Sequence, residues 1–212
     1  MCVPGSASVA VVIPVRRFED AKSRLATALT PSERQHLSRN CAERVLDAAH
    51  GFHRVVVCDD LSVAEWAESR DVDTVVVSSV GLNAALDEAL PEIIRRFEPD
   101  HVVVCHADLP APHGLRAVVE QAVSTGTPTV ITDNHHDGTN VLIAPTSHLR
   151  AAGFHYGPGS ADRHRDRYAL IGAECRVLVH DTLSIDLDRP DDLSHPVVVD
   201  LIDQLVRARS VT

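Results

Sequence analysis

The chain has 212 residues, of which 44% are hydrophobic and 24% charged, and its formal net charge is −10. This balance is typical of one soluble α/β domain and argues against two full domains or long disorder. The acidic charge disfavours a nucleic-acid partner, which would need a basic face, but it permits a local basic pocket for a small anion.

The cellular compartment is predicted from targeting signals, apolar runs and cysteine spacing. The sequence shows no leader, and no apolar run approaches the ~20 residues that span a bilayer, so we expect a cytoplasmic protein with no membrane partner. The cysteines are odd in number and lack C-x-x-C spacing, which predicts reduced thiols. They are Cys2, Cys41, Cys58, Cys105 and Cys175.

Short apolar runs, which predict buried strands, alternate with amphipathic segments, which predict helices. The predicted strands are 8–15, 54–58, 74–77, 102–105, 129–132, 139–144 and 176–179. Six helices are predicted. The first is capped by Thr30 and ends at Gly51, the third follows the loop at 78–83 and ends at Phe97, and the fifth starts at Ser160. The others are 62–69, 113–124 and 197–209. Residues 1–7 are expected to be frayed. We find no repeat or linker and therefore predict one domain over residues 1–212.

The loop at 16–24, RRFEDAKSR, is the most basic cluster in the sequence. It follows the first strand directly, which is the position of the phosphate-binding loop in nucleotide-binding α/β folds. Lys22 and Arg24 are candidates to grip phosphate oxygens. The alternative is a solvated charged loop, and neither G-x-G-x-x-G nor a P-loop motif is present.

Two glycine-containing loops precede helices. The loop at 78–83, SSVGLN, offers free backbone N–H groups for a base edge or a phosphate, although it could be an ordinary connection. The segment at 154–164, FHYGPGSADRH, favours anion binding at a helix start, and its alternative is a simple N-cap at Ser160. Between them, the polar turn at 134–138 contains Asp-Gly and predicts an antiparallel excursion. Its adjacent histidines are weak candidates for metal ligands.

Acidic residues follow the strands near the centre and the end of the sequence. Asp108 lies just past the fourth strand, where it either caps a turn or binds a metal. Asp186 and Asp188 face the same way on an extended segment, so they need a cation or a basic group between them. A basic loop with a few hard carboxylates suits Mg²⁺ and phosphoryl or nucleotidyl transfer, which needs no nucleophilic side chain.

Five strings occur in a specific order over nearly the whole chain: IPVRR…AKSRL from 13, HADLP from 106, DGTNVL from 137, YGPGSADRH from 156 and DLDRPDDL from 186. In this order they resemble the guanylyltransferases of coenzyme F-420 biosynthesis, within the MobA-like nucleotidyltransferase superfamily. The resemblance implies a Rossmann-like three-layer α/β/α sandwich with a mostly parallel central sheet. It also implies that GTP and a small phosphorylated carboxylate react to release pyrophosphate.

The resemblance also implies roles for particular residues. Asp108 and Asp186 would carry Mg²⁺, and Lys22 with the loop arginines, Arg16 and Arg24, would face the triphosphate. The guanine would lie at Leu82 and Asn83. Thr139, Gly157 and Ser160 would hold the acceptor acid. The catalytic set would be Lys22, Asp108 and Asp186.

Several alternatives stay open at this point. The acceptor is phosphoenolpyruvate, 2-phospho-L-lactate or 3-phosphoglycerate, and the sequence does not choose among them. Arg16 stands where the family commonly has lysine, and Tyr156 where it usually has phenylalanine. Two other functions compete with this one: that of another transferase on the same fold, and that of an inactive homologue that only binds nucleotide. A homodimer and a downstream transferase that consumes a labile product are the expected protein partners.

Overall fold

A computed structural model describes residues 7–199, 201 and 202. The strands are β1 (Val9–Pro14), β2 (His53–Cys58), β3 (Asp73–Val76), β4 (His101–Cys105), β5 (Thr129–Thr132), β6 (Thr139–Pro145) and β7 (Arg176–Leu178). They form one seven-stranded sheet in the order β3-β2-β1-β4-β6-β5-β7.

The sheet is mostly parallel, as expected. Strand β1 pairs in parallel with β2 on one side and with β4 on the other. Strand β6 is antiparallel to both β4 and β5, which confirms the antiparallel excursion predicted around the Asp-Gly turn. The central strands are buried on both faces, which explains why they read as continuous apolar runs rather than alternating ones.

Helices cover both faces of the sheet and complete the expected three-layer sandwich. One apolar cluster packs α1, α2 and α4 against one face, and a second packs α3, α5 and α6 against the other. The helices are α1 (Pro31–Ala48), α2 (Leu61–Glu68), α3 (Leu82–Phe97), α4 (Leu115–Thr125), α5 (Thr146–Ala152) and α6 (Ser160–Leu170).

Local sequence signals explain several helix boundaries. Thr30 and Glu33 form the predicted capping box, in which the Glu33 amide donates to Thr30 Oγ1 (3.3 Å) and the Thr30 amide donates to Glu33 Oε2 (2.9 Å). Helix α4 begins at Leu115 rather than at residue 113, because Gly114 adopts a left-handed conformation that helix interiors do not contain. Residues 196–199, 201 and 202 are helical, and the remainder of the closing helix predicted over 197–209 lies outside the described residues. So does the start, residues 1–6.

The topology creates one crevice suited to ligand binding. The chain leaves β1 towards β2 on one side and later enters β4 on the other side, so the strand order reverses between β1 and β4. Ligands of open α/β sheets bind beyond the carboxyl ends of strands at such a point. No helix among the described residues is long and apolar enough to cross a membrane, and the cysteines among them, Cys41, Cys58, Cys105 and Cys175, are free.

Candidate active site

Lys22 is the basic residue that the loop after β1 directs into the crevice. Its backbone adopts a left-handed conformation (φ 57°), and its side chain is only 6% exposed. The ammonium Nζ donates to Asp108 Oδ2 at 2.7 Å and also to the backbone carbonyl of Leu187. Lys22 therefore joins the loop after β1, the loop after β4 and the segment near residue 187.

The ion pair shifts the pKa of both partners. Burial alone would lower the pKa of Lys22, but the facing Asp108 carboxylate outweighs burial and raises it above the ordinary value. Burial alone would raise the pKa of Asp108, but Lys22 outweighs it and lowers the pKa. Both groups are consequently charged near neutral pH.

Asp186 approaches the same point from the end of the chain. The segment that carries it is anchored because Leu183, Ile185 and Leu187 alternate into apolar clusters. Burial, and then the negative charge of Asp108, raise the pKa of Asp186 to about 7. Asp188, on the same extended segment, pairs with the exposed Arg24.

The two carboxylates fit a divalent cation that is shared with a substrate. Asp108 Oδ1 is buried and has no hydrogen-bond partner among the described residues. Burial, together with the negative charge of Asp108, raises the pKa of Asp186. A cation between them would relieve both features. The described part of the chain contains no group of three or more acidic, histidine or cysteine side chains that could hold a metal. Such a two-carboxylate site suits Mg²⁺, which keeps several waters and takes substrate phosphates as ligands.

Asp133 shapes the turn that leads into β6. Its carboxylate accepts from the amides of His135 (3.1 Å), Asp137 (2.9 Å) and Gly138 (3.0 Å). A Cβ on Gly138 would lie 2.6 Å from Asp133 Oδ2, so a larger residue would displace this carboxylate from the amides that it accepts from. The turn sets the direction in which Thr139 enters β6.

Thr139 and Ser160 meet at the start of α6. Ser160 Oγ donates to Thr139 Oγ1 at 3.0 Å, and both residues are buried. Asp137 ties the two segments together, because its carboxylate accepts from the amide of Gly159 (3.0 Å) and its carbonyl from that of Ala161 (3.2 Å). The structure thus brings two of the predicted acceptor-binding residues into direct contact.

Asn83 connects the two predicted substrate loops. Its Oδ1 accepts from the amide of Tyr156 at 2.7 Å, and its Nδ2 donates to the carbonyl of Tyr156 at 3.1 Å. Tyr156 immediately precedes Gly157, the third predicted acceptor residue, which has a positive φ of 117°. These two hydrogen bonds of Asn83 therefore brace the loop that contains Gly157, here called the glycine loop.

The remaining predicted residues lie nearer the surface. Leu82 packs partly against the apolar cluster beneath α3, and Arg16 is exposed. Glu88, which sequence reasoning missed, holds the loop before Asn83, since its carboxylate accepts from the amides of Ser78 (3.0 Å) and Ser79 (2.9 Å). His164, one turn into α6, is not among the site residues that the sequence predicts, but its Nδ1 lies 3.1 Å from Thr139 Oγ1.

The buried thiols in this region are poor nucleophiles. Burial raises the pKa of Cys41 to about 12, and burial also raises the pKa of Cys105. The charged side chains that meet in the crevice are Lys22, Asp108 and Asp186. An ammonium attracts phosphate directly, whereas carboxylates can do so only through a bound cation.

Comparison with known proteins gives the same assignment as the motifs. Residues 9–199 match the family model described as "Guanylyl transferase CofC like". A phosphoenolpyruvate guanylyltransferase from Rubrobacter xylanophilus is 33% identical over 195 residues, which cover 88% of this chain and 92% of that protein. A 2-phospho-L-lactate guanylyltransferase from a Methanocaldococcus species is 26% identical over 186 residues, with 86% and 78% covered. The fold matches a nucleotidyl transferase from Methanothermobacter with a TM-score of 0.63 and 16% identity, over 96% of this chain and 100% of that one.

Proposed function

Because this chain belongs to the family of CofC-like guanylyl transferases, we propose that it transfers GMP from GTP to a small phosphorylated carboxylic acid and releases pyrophosphate. The proposed acceptors are phosphoenolpyruvate and 2-phospho-L-lactate, the acids in the names of the two relatives. Phosphoenolpyruvate is the first choice because the relative that carries its name is 33% identical and the other 26%. The motifs at 106–110 and 156–164 extend the proposal to coenzyme F-420 biosynthesis.

The observation that carries this proposal is the convergence of Lys22, Asp108 and Asp186 at the β1/β4 crevice. In the reaction, a phosphate oxygen of the acceptor attacks the α-phosphorus of GTP. The new P–O bond forms as the bond to the bridging oxygen breaks, and pyrophosphate leaves with that electron pair. The attacking oxygen is already anionic, so no general base is required. This agrees with a crevice whose charged residues can bind and orient phosphates.

The proposed cofactor is Mg²⁺, held by Asp108 and Asp186. When bound, it neutralises the phosphate charge that increases towards the transition state. Lys22 keeps Asp108 ionised and fixes its orientation through the 2.7 Å ion pair. Arg24 and Arg16 lie at the exposed rim of the same loop, where they would meet the triphosphate.

The test is an acceptor panel. The purified protein is incubated with GTP, Mg²⁺ and either phosphoenolpyruvate, 2-phospho-L-lactate or 3-phosphoglycerate, and pyrophosphate is followed. Because the expected product is labile, the downstream transferase is added as a trap in a parallel set. Pyrophosphate release with GTP and one of the first two acids is expected. Release with 3-phosphoglycerate alone would reassign the acceptor, and no release with any acid would contradict the proposal.

A nucleotide panel separates guanylyl transfer from other nucleotidyl transfers on this fold. ATP, CTP and UTP replace GTP at equal concentration with the best acceptor. GTP is expected to give the highest kcat/KM. Equal turnover with CTP would contradict the guanine preference while leaving the transfer chemistry intact.

A further inference from the structure

The ring of His164 lies behind the Thr139–Ser160 pair and contacts it directly. His164 Nδ1 is 3.1 Å from Thr139 Oγ1, and the backbone amide of His155 donates to His164 Nε2 at 3.0 Å. His164 is fully buried, at 0% exposure. Neither of its ring nitrogens therefore depends on water for a partner.

The backbone amide of His155 decides the tautomer of this ring. An amide N–H can only donate, so Nε2 must be the nitrogen that accepts. In a neutral imidazole the other nitrogen then carries the hydrogen, and Nδ1–H donates to Thr139 Oγ1. Burial lowers the pKa of His164 to about 4, which keeps the ring neutral near pH 7.

This tautomer leaves one hydroxyl hydrogen of the Thr139–Ser160 pair without an acceptor among the described residues. The two hydroxyl groups of Thr139 and Ser160 have two hydrogens, and one of them bridges the two oxygens. If Nδ1 were an acceptor, it would take the second hydrogen. Because Nδ1 is a donor, the second hydroxyl hydrogen has no acceptor among the described residues.

The leftover hydrogen lies where water has little access. Thr139 is 2% exposed and Ser160 is 1% exposed. A buried donor without a partner is unfavourable, so the site favours a ligand atom that can only accept. The partial positive charge at the start of α6, which begins with Ser160, favours an anionic oxygen in particular.

We propose that His164 is a positioning residue, which directs one hydroxyl hydrogen of the Thr139–Ser160 pair towards an anionic oxygen of the acceptor acid. The inference rests on the proposed function, because the acceptor supplies that oxygen. This anionic oxygen belongs to a carboxylate or a phosphate group of the acceptor. His164 itself does not touch the substrate.

Two substitutions separate positioning from a structural role. The amide nitrogen of His164→Asn can occupy the place of Nδ1 and donate to Thr139, but it leaves the His155 amide unpaired. The amide oxygen of His164→Gln can occupy the place of Nε2 and accept from His155, but it supplies no donor to Thr139. The two variants therefore each preserve one of the two hydrogen bonds.

The positioning role predicts a specific order of kinetic effects. His164→Gln should raise the KM for the acceptor more than threefold, because without the Nδ1–H donor nothing holds the Thr139 hydroxyl in the orientation that points its hydrogen at the acceptor. His164→Asn should raise it less than threefold, and the KM for GTP should stay within twofold in both. The reverse order, or equal changes in both KM values, would overturn the inference while wild-type guanylyl transfer still supported the proposed function.

Two further measurements cover variants that fold poorly. In a Thr139→Val background, His164→Gln should have no additional effect on the acceptor KM, because the hydroxyl that it directs is absent. The ¹⁵N spectrum of the wild-type ring should show the Nδ1–H tautomer without any assay of activity. An Nε2–H tautomer would overturn the inference.

A carboxylate methyl ester of phosphoenolpyruvate identifies the anionic oxygen. If the hydrogen meets the carboxylate, the wild type should strongly prefer the free acid, and His164→Gln should lose most of that preference. If it meets the phosphate, His164→Gln should weaken both compounds equally. Either outcome supports an anionic partner, whereas an unchanged KM for both would contradict it.

Discussion

Lys22 and Asp108 form an ion pair with 2.7 Å between Nζ and Oδ2, although 86 residues separate them in the sequence. The pair joins the two loops that flank the reversal of strand order between β1 and β4. Lys22 is nearly buried, while one oxygen of Asp108 has no hydrogen-bond partner in the part of the chain that the structure describes. The ion pair fixes one carboxylate oxygen, and the other is the oxygen that we propose as a ligand of the cation.

Asp108→Asn should reduce turnover by about two to three orders of magnitude or more, because the neutral amide neither binds a hard cation well nor balances Lys22. The fold should persist, because the side chain keeps its size and Asp186 remains close enough to balance the charge of Lys22. Pyrophosphate release measures the first expectation, and circular dichroism with thermal unfolding measures the second.

Asp181→Asn is the matched control for this variant. Asp181 is an exposed acid on the segment that leads to Asp186. Its substitution should leave turnover within twofold of wild type. Full activity in Asp108→Asn would remove Asp108 from the proposed mechanism.

Asp186 should destabilise the metal-free protein at neutral and higher pH. Its native pKa is about 7, above the ordinary value of 3.8, because of burial and the charge of Asp108. Between these values the native state holds a proton that the unfolded state has released, so the free energy of unfolding falls as pH rises through that window. Asp186→Asn should therefore be more stable than wild type by about 1–3 kcal/mol at pH 8.

Urea unfolding in the presence of a chelator measures this difference at several pH values. The stability gain of Asp186→Asn should shrink as pH falls from 8 towards 4, and Asp181→Asn is measured in parallel as the matched control. A gain that is equal at pH 4 and pH 8 would show that the protonation of Asp186 is not its source.

Mg²⁺ binding should weaken as pH falls below about 7, because the cation must displace the proton from Asp186. The loss should approach tenfold per pH unit for one competing proton. Calorimetric titration of Mg²⁺, with a non-hydrolysable GTP analogue present, measures the affinity, and two buffers of different ionisation enthalpy measure the proton released. Binding that is independent of pH between 5.5 and 7.5 would argue that Asp186 is not a ligand.

The meeting of the loops that carry Lys22 and Asp108 follows directly from where the strands end in the sequence. Lys22 lies in the loop that follows the first apolar run and Asp108 lies just beyond the fourth, and parallel strands bring such loops to one edge. Helix α5 was missed because it has only seven residues and follows β6 without a connecting loop. Its sequence, TSHLRAA, is too short to show a helical period.

Contacts between segments that are far apart in the chain could not be predicted from the sequence. Nothing near Asn83 indicates that its side chain meets the backbone of a residue 73 positions away. In the same way, the partners of His164 depend on how α6 docks beside β6. The family resemblance implies that guanine lies at Leu82 and Asn83, and this role stays a prediction that the bracing contact makes testable.

Asn83→Ala should distinguish bracing from base recognition. Its side chain makes two hydrogen bonds to Tyr156, so their loss should release the loop that contains Gly157. Two such bonds contribute about 1–3 kcal/mol together, which predicts a rise of roughly tenfold in the acceptor KM. The KM for GTP should change less than threefold if bracing is the main role.

Glu88→Gln is the contrasting variant, since Glu88 holds the amides of Ser78 and Ser79 in the loop before Asn83. If this loop contacts the nucleotide, Glu88→Gln should raise the KM for GTP more than that for the acceptor. Initial rates measured over a grid of both substrates give the two constants for each protein. A rise in the KM for GTP alone in Asn83→Ala would instead support direct contact between Asn83 and guanine, because the glycine loop would then be unaffected by losing its brace.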